Sequence, residues 1–64
     1  MTRVELWSKG RYVRELELEV VPVAGDELSI FGMKVGFGHY EVTDRAFYIG
    51  DVGTQIRIYV KEIK

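Results

Sequence analysis

The sequence predicts a small all-β protein, a five- to six-stranded, strongly bent antiparallel barrel of the SH3-like type. Apolar and polar residues alternate with a period of two along most of the chain. Turn-forming residues separate these alternating runs. The length of 64 residues allows one domain, residues 1–64. An OB-fold is the competing architecture, but it usually needs a longer chain and a helix.

The first half of the chain carries two predicted strands. Val4 and Leu6 alternate with polar neighbours, and a turn follows at residues 8–10. The next run alternates three inward apolar residues with three glutamates; the inward set is Leu16, Leu18 and Val20. Glutamate favours helices, but the run lacks the apolar stripe of an amphipathic helix. We therefore expect a strand in which Leu18 is buried.

The second half alternates as well, with two changes of phase. Residues 22–26 have the composition of a turn, and Leu28 and Ile30 then share one face. The phase shifts after Gly32 and again near residues 43–45, so a bulge or turn is expected at both places. After a turn at residues 50–53, the last strand is expected to place Ile56, Ile58 and Val60 inward.

Composition argues against several classes of function. The net charge is −1 with both signs scattered, whereas a dedicated nucleic-acid binder normally has a basic face. Cysteine is absent and His39 is the only histidine, so neither a disulfide framework nor a multi-histidine zinc site is expected, and no cofactor is predicted. The apolar runs are too short to span a membrane. The first residues lack the apolar core of a secretory signal, and a cytoplasmic location is the expectation.

The small size of the chain predicts self-association. In a domain of 64 residues, the free energy gained by burying apolar surface is about as large as the conformational entropy cost of folding. Small domains offset this with disulfides, a metal or another subunit, and only the last remains here. A homodimer or homotetramer is therefore expected.

Aromatic residues on the outward side of the strands predict where such contacts form. Trp7, Phe31, Tyr48 and Tyr59 fall opposite the inward apolar residues. Trp, Tyr and Arg dominate binding hot spots. We therefore predict Trp7, Tyr48, Arg57 and Tyr59 as binding residues.

The row Glu15, Glu17 and Glu19 needs opposite charges, since like charges on one strand face repel. Arg57 and Lys61 form a basic row, to which Arg3 adds. The two rows form either cross-strand ion pairs within one chain or a contact between two subunits.

Several patterns with possible chemistry have simpler structural interpretations. Gly32, Gly36 and Gly38 resemble a phosphate-binding loop, but no helix follows and the Lys-Ser/Thr of a P-loop is missing. His39 beside Glu41 could act as a general base, and is otherwise an ordinary surface histidine. Asp26-Glu27 and Asp44 could be brought together as catalytic carboxylates, but both belong to turn-like segments. Asp44 and Arg45 form either a turn or an anion site. No catalytic residue is predicted.

Four segments carry a resemblance to a known group of proteins. They are Val21-Pro22-Val23-Ala24-Gly25-Asp26-Glu27-Leu28, Tyr40-Glu41-Val42, Arg45-Ala46-Phe47 and Ile56-Arg57-Ile58-Tyr59-Val60. Together they resemble the small SH3-like barrel proteins carried on phages and integron gene cassettes. The resemblance covers about two thirds of the chain and implies a fold and a mobile-genetic-element origin, with no activity. Plasmid-borne dihydrofolate reductases share the barrel class but need a Val-Gln-Ile-Tyr run, where this chain has Thr54-Gln55-Ile56-Arg57.

These observations predict a binding or assembly module that associates with itself and is not an enzyme. One alternative is an enzyme or small-ligand binder whose site forms between subunits. The other is a weak nucleic-acid binder that uses Arg and Tyr side chains.

Overall fold

A computed structural model describes residues 1–32 and 36–63 and confirms the all-β prediction. It contains five strands: β1 (Thr2–Ser8), β2 (Arg11–Leu18), β3 (Glu27–Gly32), β4 (Gly36–Gly50) and β5 (Gly53–Glu62). The described residues contain no helix, and the glutamate-rich run forms β2. Accordingly, no helix in this part of the chain could cross a bilayer.

The strands form one strongly curled sheet, a half-barrel consistent with a small SH3-like barrel, in the order β2-β1-β5-β4-β3. Three neighbouring pairs are antiparallel, whereas the central pair β1–β5 is parallel. No turn joins β1 directly to β5, because the other three strands lie between them in the sequence. Short turns join the antiparallel pairs β1–β2 and β4–β5, which the sequence indicates correctly.

The core lies on the inner face of the curl and is small. Among the residues whose burial the structure describes, it consists of five: Val4, Leu6, Val42, Ile58 and Val60. Ile58 and Val60 are buried as predicted. Leu18 is only half-buried against this core, because β2 is an edge strand. Val20 lies past the end of β2 and is exposed, so its expected inward position is wrong.

In two turns the backbone geometry requires a glycine. In the β1–β2 turn, Lys9 and Gly10 both have positive φ (55° and 74°), as a two-residue type I′ turn requires. In the connection to β3, the amide of Asp26 donates to the carbonyl of Val23 at 3.0 Å, and Gly25 has φ 100°. A positive φ at the third position of a turn is typical of type II. This explains the Gly-Asp pair of the sequence as a structural requirement.

The pairing of β4 with its two neighbours tests the predicted phase changes. The pairing of β4 with β5 shifts between Val42 and Asp44, so the bulge expected near residues 43–45 is confirmed. The other predicted phase change begins at Gly32, which pairs with Gly36 across β3–β4. Residues 33–35, on which that prediction depends, lie outside the described residues.

Candidate functional site

The four predicted binding residues come together on the outer face of the sheet. The β1–β5 register places Trp7 beside Tyr59, and Arg57 lies two residues before Tyr59 on the same face. Tyr48 pairs with Gln55 across β4–β5, on the same face again. We call Trp7, Tyr48, Arg57 and Tyr59 the outer cluster.

Arg57 lies at the centre of the outer cluster. Its guanidinium carbon is 4.3 Å from the centroid of the Trp7 indole and 4.7 Å from that of the Tyr48 ring. Both distances are within the range of cation–π contacts. Two rings therefore hold the cation in place, and only 28 % of the Arg57 side chain is exposed.

The rings also contact each other. The centroids of Trp7 and Tyr59 are 6.4 Å apart, and those of Trp7 and Tyr12 are 6.1 Å apart with their planes at 76°. The hydroxyl oxygens of Tyr48 and Tyr59 lie 3.5 Å apart. Tyr12 thus extends the cluster onto β2. The sequence did not predict this, because a bulge between Leu6 and Trp7 decides that Tyr12 lies opposite Trp7.

Glu5 connects the cluster to the sheet, a role that the sequence does not predict. Its carboxylate accepts a hydrogen bond from Trp7 Nε1 at 3.0 Å and another from Gln55 Nε2, and it lies 3.2 Å from Arg57 Nε. The hydrogen bond from Trp7, together with Gln55 and Arg57, holds the pKa of Glu5 below its ordinary value. In the sequence, Glu5 is one polar residue of an alternating strand, and only the register reveals its partners.

The pKa values of Tyr48 and Tyr59 are shifted by the contact between their hydroxyl groups and by Arg57. The hydrogen bond with Tyr48, followed by that with Arg57, lowers the pKa of Tyr59. The same contact with Tyr59 raises the pKa of Tyr48. The contact with Tyr59 also raises the pKa of Arg57, which therefore stays charged. The cluster is thus a fixed cation within aromatic rings, with one phenol that ionises before the other.

Two members of the predicted acidic row, Glu15 and Glu17, form ion pairs with Arg3 within the chain, whereas Glu19 lies past the end of β2. Arg3 Nε lies 3.3 Å from Glu15 and its Nη2 lies 3.8 Å from Glu17. The other two residues of the basic row form ion pairs with different glutamates: Arg57 with Glu5, and Lys61 with Glu41 at 3.6 Å. The side chains of Arg3, Glu15 and Glu17 are about half exposed or more, so these ion pairs contribute little to stability.

The remaining candidates have local structural roles. His39 Nδ1 and Ser29 Oγ are 2.9 Å apart, a cross-strand hydrogen bond between exposed side chains. Asp44 accepts a hydrogen bond from the amide of Arg45 at 2.8 Å, next to the bulge. The Arg45 guanidinium in turn lies 5.3 Å from the ring centroid of Phe47.

The carboxylate and glycine patterns also have local explanations. Asp26 accepts a hydrogen bond from the amide of Val23 at 2.9 Å, so it serves its own turn. Gly38 lies in β4, where an added Cβ would lie 2.8 Å from Cε2 of Tyr40. A strand, not a helix, continues beyond it. Among the described residues, no three His, Asp or Glu side chains come together as metal ligands.

The outer cluster offers flat aromatic area, a positive charge and hydroxyl groups, all on regular strands. Comparison of the chain with family models, curated proteins and solved structures finds no match.

Proposed function

We propose that this protein is a non-enzymatic binding and assembly module whose copies associate through the outer cluster. One observation carries the proposal: the aromatic and arginine residues from three different strands converge in one partly exposed patch. Trp, Tyr and Arg are the residues that most often dominate binding energy at protein interfaces.

The internal contacts of the cluster favour this role. Binding costs free energy when side chains must be ordered at the interface. Here Arg57 is already held between Trp7 and Tyr48, and Glu5 fixes the indole of Trp7. A partner would meet rings that are largely in place, while Tyr48 keeps 45 % of its surface exposed.

The exposed area is large enough to include an interface of standard size. The chain exposes 4964 Å², whereas a compact monomer of 7.4 kDa exposes about 4,200 Å². The difference of roughly 750 Å² is close to the ~800 Å² that each partner buries in an interface of standard size. In the described part of the chain the core has five buried residues, so such burial would add substantially to stability.

Sedimentation equilibrium over a range of micromolar concentrations tests the proposal. The protein is expected to exceed its chain mass of 7.4 kDa, and Trp7→Ala is expected to shift the mass towards that of the monomer. Phe31→Ala is the matched control, because Phe31 is an exposed aromatic residue on β3, outside the cluster. A wild-type protein that stays monomeric at every concentration would refute self-association. Equal effects of the two variants would refute the role of the cluster.

A second candidate function is the binding of single-stranded nucleic acid. Four neighbouring rings, Trp7, Tyr12, Tyr48 and Tyr59, form a surface on which bases could stack. Against this, Glu5 and Asp44 lie on the same outer face, and the net charge is −1. Binding to an oligonucleotide that falls steeply with salt, and is lost in Trp7→Ala, would favour this function over assembly.

The resemblance to barrel proteins of phages and integron cassettes is compatible with either function. A mobile-element origin and a cytoplasmic location are part of the proposal and add no activity to it.

A further inference from the structure

The β4–β5 hairpin extends beyond the rest of the sheet. β3 pairs with β4 only as far as Glu41, and the connection before β3 adds two hydrogen bonds at Val42. On the other side, β1 pairs with β5 only from Arg57 onward. Residues 44–50 and 53–56 therefore have only each other as strand partners in the described part of the chain.

The molecule is elongated. Its principal dimensions are 39 × 23 × 22 Å, and its radius of gyration is 11.8 Å. A compact chain of this length has a radius of gyration of about 10.7 Å. An isolated two-stranded hairpin is only marginally stable in water, so a further partner would stabilise it.

The extension carries apolar side chains into solvent. Phe47 lies opposite Ile56 and Ile49 opposite Thr54, on the face of the sheet that holds the core. Phe47 is 47 % exposed and Ile49 is 82 % exposed. The inner apolar face therefore continues past the end of the core without cover.

The outer edge of the extension, residues 44–50, carries charge only at the end next to the bulge, at Asp44 and Arg45, and residues 46–50 are uncharged. Exposed strand edges usually carry lysine or proline, which prevent pairing with another chain. This edge reads Asp44-Arg45-Ala46-Phe47-Tyr48-Ile49-Gly50 and contains neither.

We propose that this edge pairs antiparallel with the same edge of a second copy, about a two-fold axis at Phe47. The proposal rests on the proposed function, because it adds a second contact to a chain that self-associates. Phe47 is the midpoint of residues 44–50, so pairing centred there uses the whole open edge. A two-fold axis perpendicular to the sheet keeps inner residues opposite inner residues, and Phe47 then lies opposite Phe47 of the second copy.

The charges agree with this register. Arg45 lies opposite Ile49 of the other copy, Asp44 opposite Gly50 and Ala46 opposite Tyr48. In this register no like charges lie opposite each other. A two-fold axis at Asp44 would place Asp44 opposite Asp44 of the other copy, and an axis at Arg45 would place the two Arg45 side chains opposite each other; both arrangements are destabilising. The paired strands would also join the uncovered apolar faces of the two extensions.

A charge exchange tests both the contact and its register. In Ile49→Lys, the lysine would oppose Arg45 of the other copy, and the mass in sedimentation equilibrium is expected to fall relative to wild type. Ile49→Glu would oppose Arg45 with the opposite charge, and its mass is expected to stay near that of the wild type. The double variant Arg45→Glu/Ile49→Lys is expected to restore the mass. Val52→Lys is the matched control, since Val52 is fully exposed but lies in the turn outside the paired edge.

The possible results separate the two proposals. A fall with Ile49→Lys that the double variant reverses supports the hairpin contact. If Ile49→Lys sediments like the wild type, or if lysine and glutamate weaken association equally, the hairpin contact is wrong. In that case, a mass that still falls in Trp7→Ala leaves the proposed function intact. A monomeric wild type refutes self-association as a whole.

Discussion

Leu6 offers the sharpest test of the fold, because the core contains so few residues. It is fully buried and, with Ile58, is one of the two largest fully buried side chains among the residues whose burial is described. It extends from β1 and lies beside Ile58 of β5 in the central parallel pair. Leu6→Ala would leave a cavity that regular strands on both sides cannot close.

The expected loss follows from this burial. Leu→Ala at a buried site costs about 2–5 kcal/mol. A domain of this length has a total stability of about 3–10 kcal/mol, so the change removes a large part of it. Each kcal/mol shifts the melting temperature of a domain this small by about 4–8 °C. Leu6→Ala is therefore expected to lower the melting temperature by about 8–40 °C.

Thermal unfolding followed by far-ultraviolet circular dichroism measures the effect, with two graded controls. Leu18→Ala is expected to cost less than Leu6→Ala, because Leu18 is half-buried on the edge strand. Val20→Ala is expected to change little, because Val20 is 74 % exposed. Equal losses for Leu6→Ala and Leu18→Ala, or a shift of less than about 4 °C for Leu6→Ala, would refute the assigned inner face of β1.

Four further predictions concern the cluster, a turn and assembly. Because the pKa of Glu5 is lowered, its carboxylate stabilises the folded state at pH values above its ordinary pKa of 4.5, and this stabilisation is lost as the pH falls through the lowered pKa. Acid unfolding of Glu5→Gln should therefore depend less steeply on pH than that of the wild type. In an alkaline titration followed by phenolate absorbance, one tyrosine should ionise early and another late relative to the ordinary value of 10.0, and Tyr59→Phe should abolish the early step. Lys9→Asn should raise the melting temperature by a few degrees, because asparagine accepts the positive φ of a type I′ turn better than lysine does; an unchanged or lower value would contradict this. The melting temperature of the wild type should rise with protein concentration and that of Trp7→Ala should rise less, whereas identical slopes would argue against the outer cluster as the contact.

The sequence predicts the strands well because they are half-buried and alternate. The alternation of Val4 and Leu6, and of Ile58 and Val60, marks one face of each strand, and those faces form the core. It could not predict that β1 and β5 run parallel. Nothing local constrains their relative direction, because three other strands separate them.

The outer cluster was predictable in its members but not in its chemistry. The alternation of inward and outward residues along each strand predicts that Trp7, Tyr48, Arg57 and Tyr59 lie on the outer face, and the structure brings all four together. The roles of Glu5 and Gln55 depend on which residues face each other across β1–β5 and β4–β5. Such pairings follow from register, which a single alternating strand does not encode.

Tyr48 connects the two surfaces that we propose for assembly. It is part of the outer cluster through Arg57 and Tyr59, yet it lies on the extension that β1 and β3 do not support. Its ring therefore forms the side of the cluster with the least backbone support. Pairing of residues 44–50 with a second copy would restrict this side and fix the Tyr48 ring against Arg57. The two contacts would then strengthen each other, because ordering that one contact has already imposed lowers the entropy cost of the other.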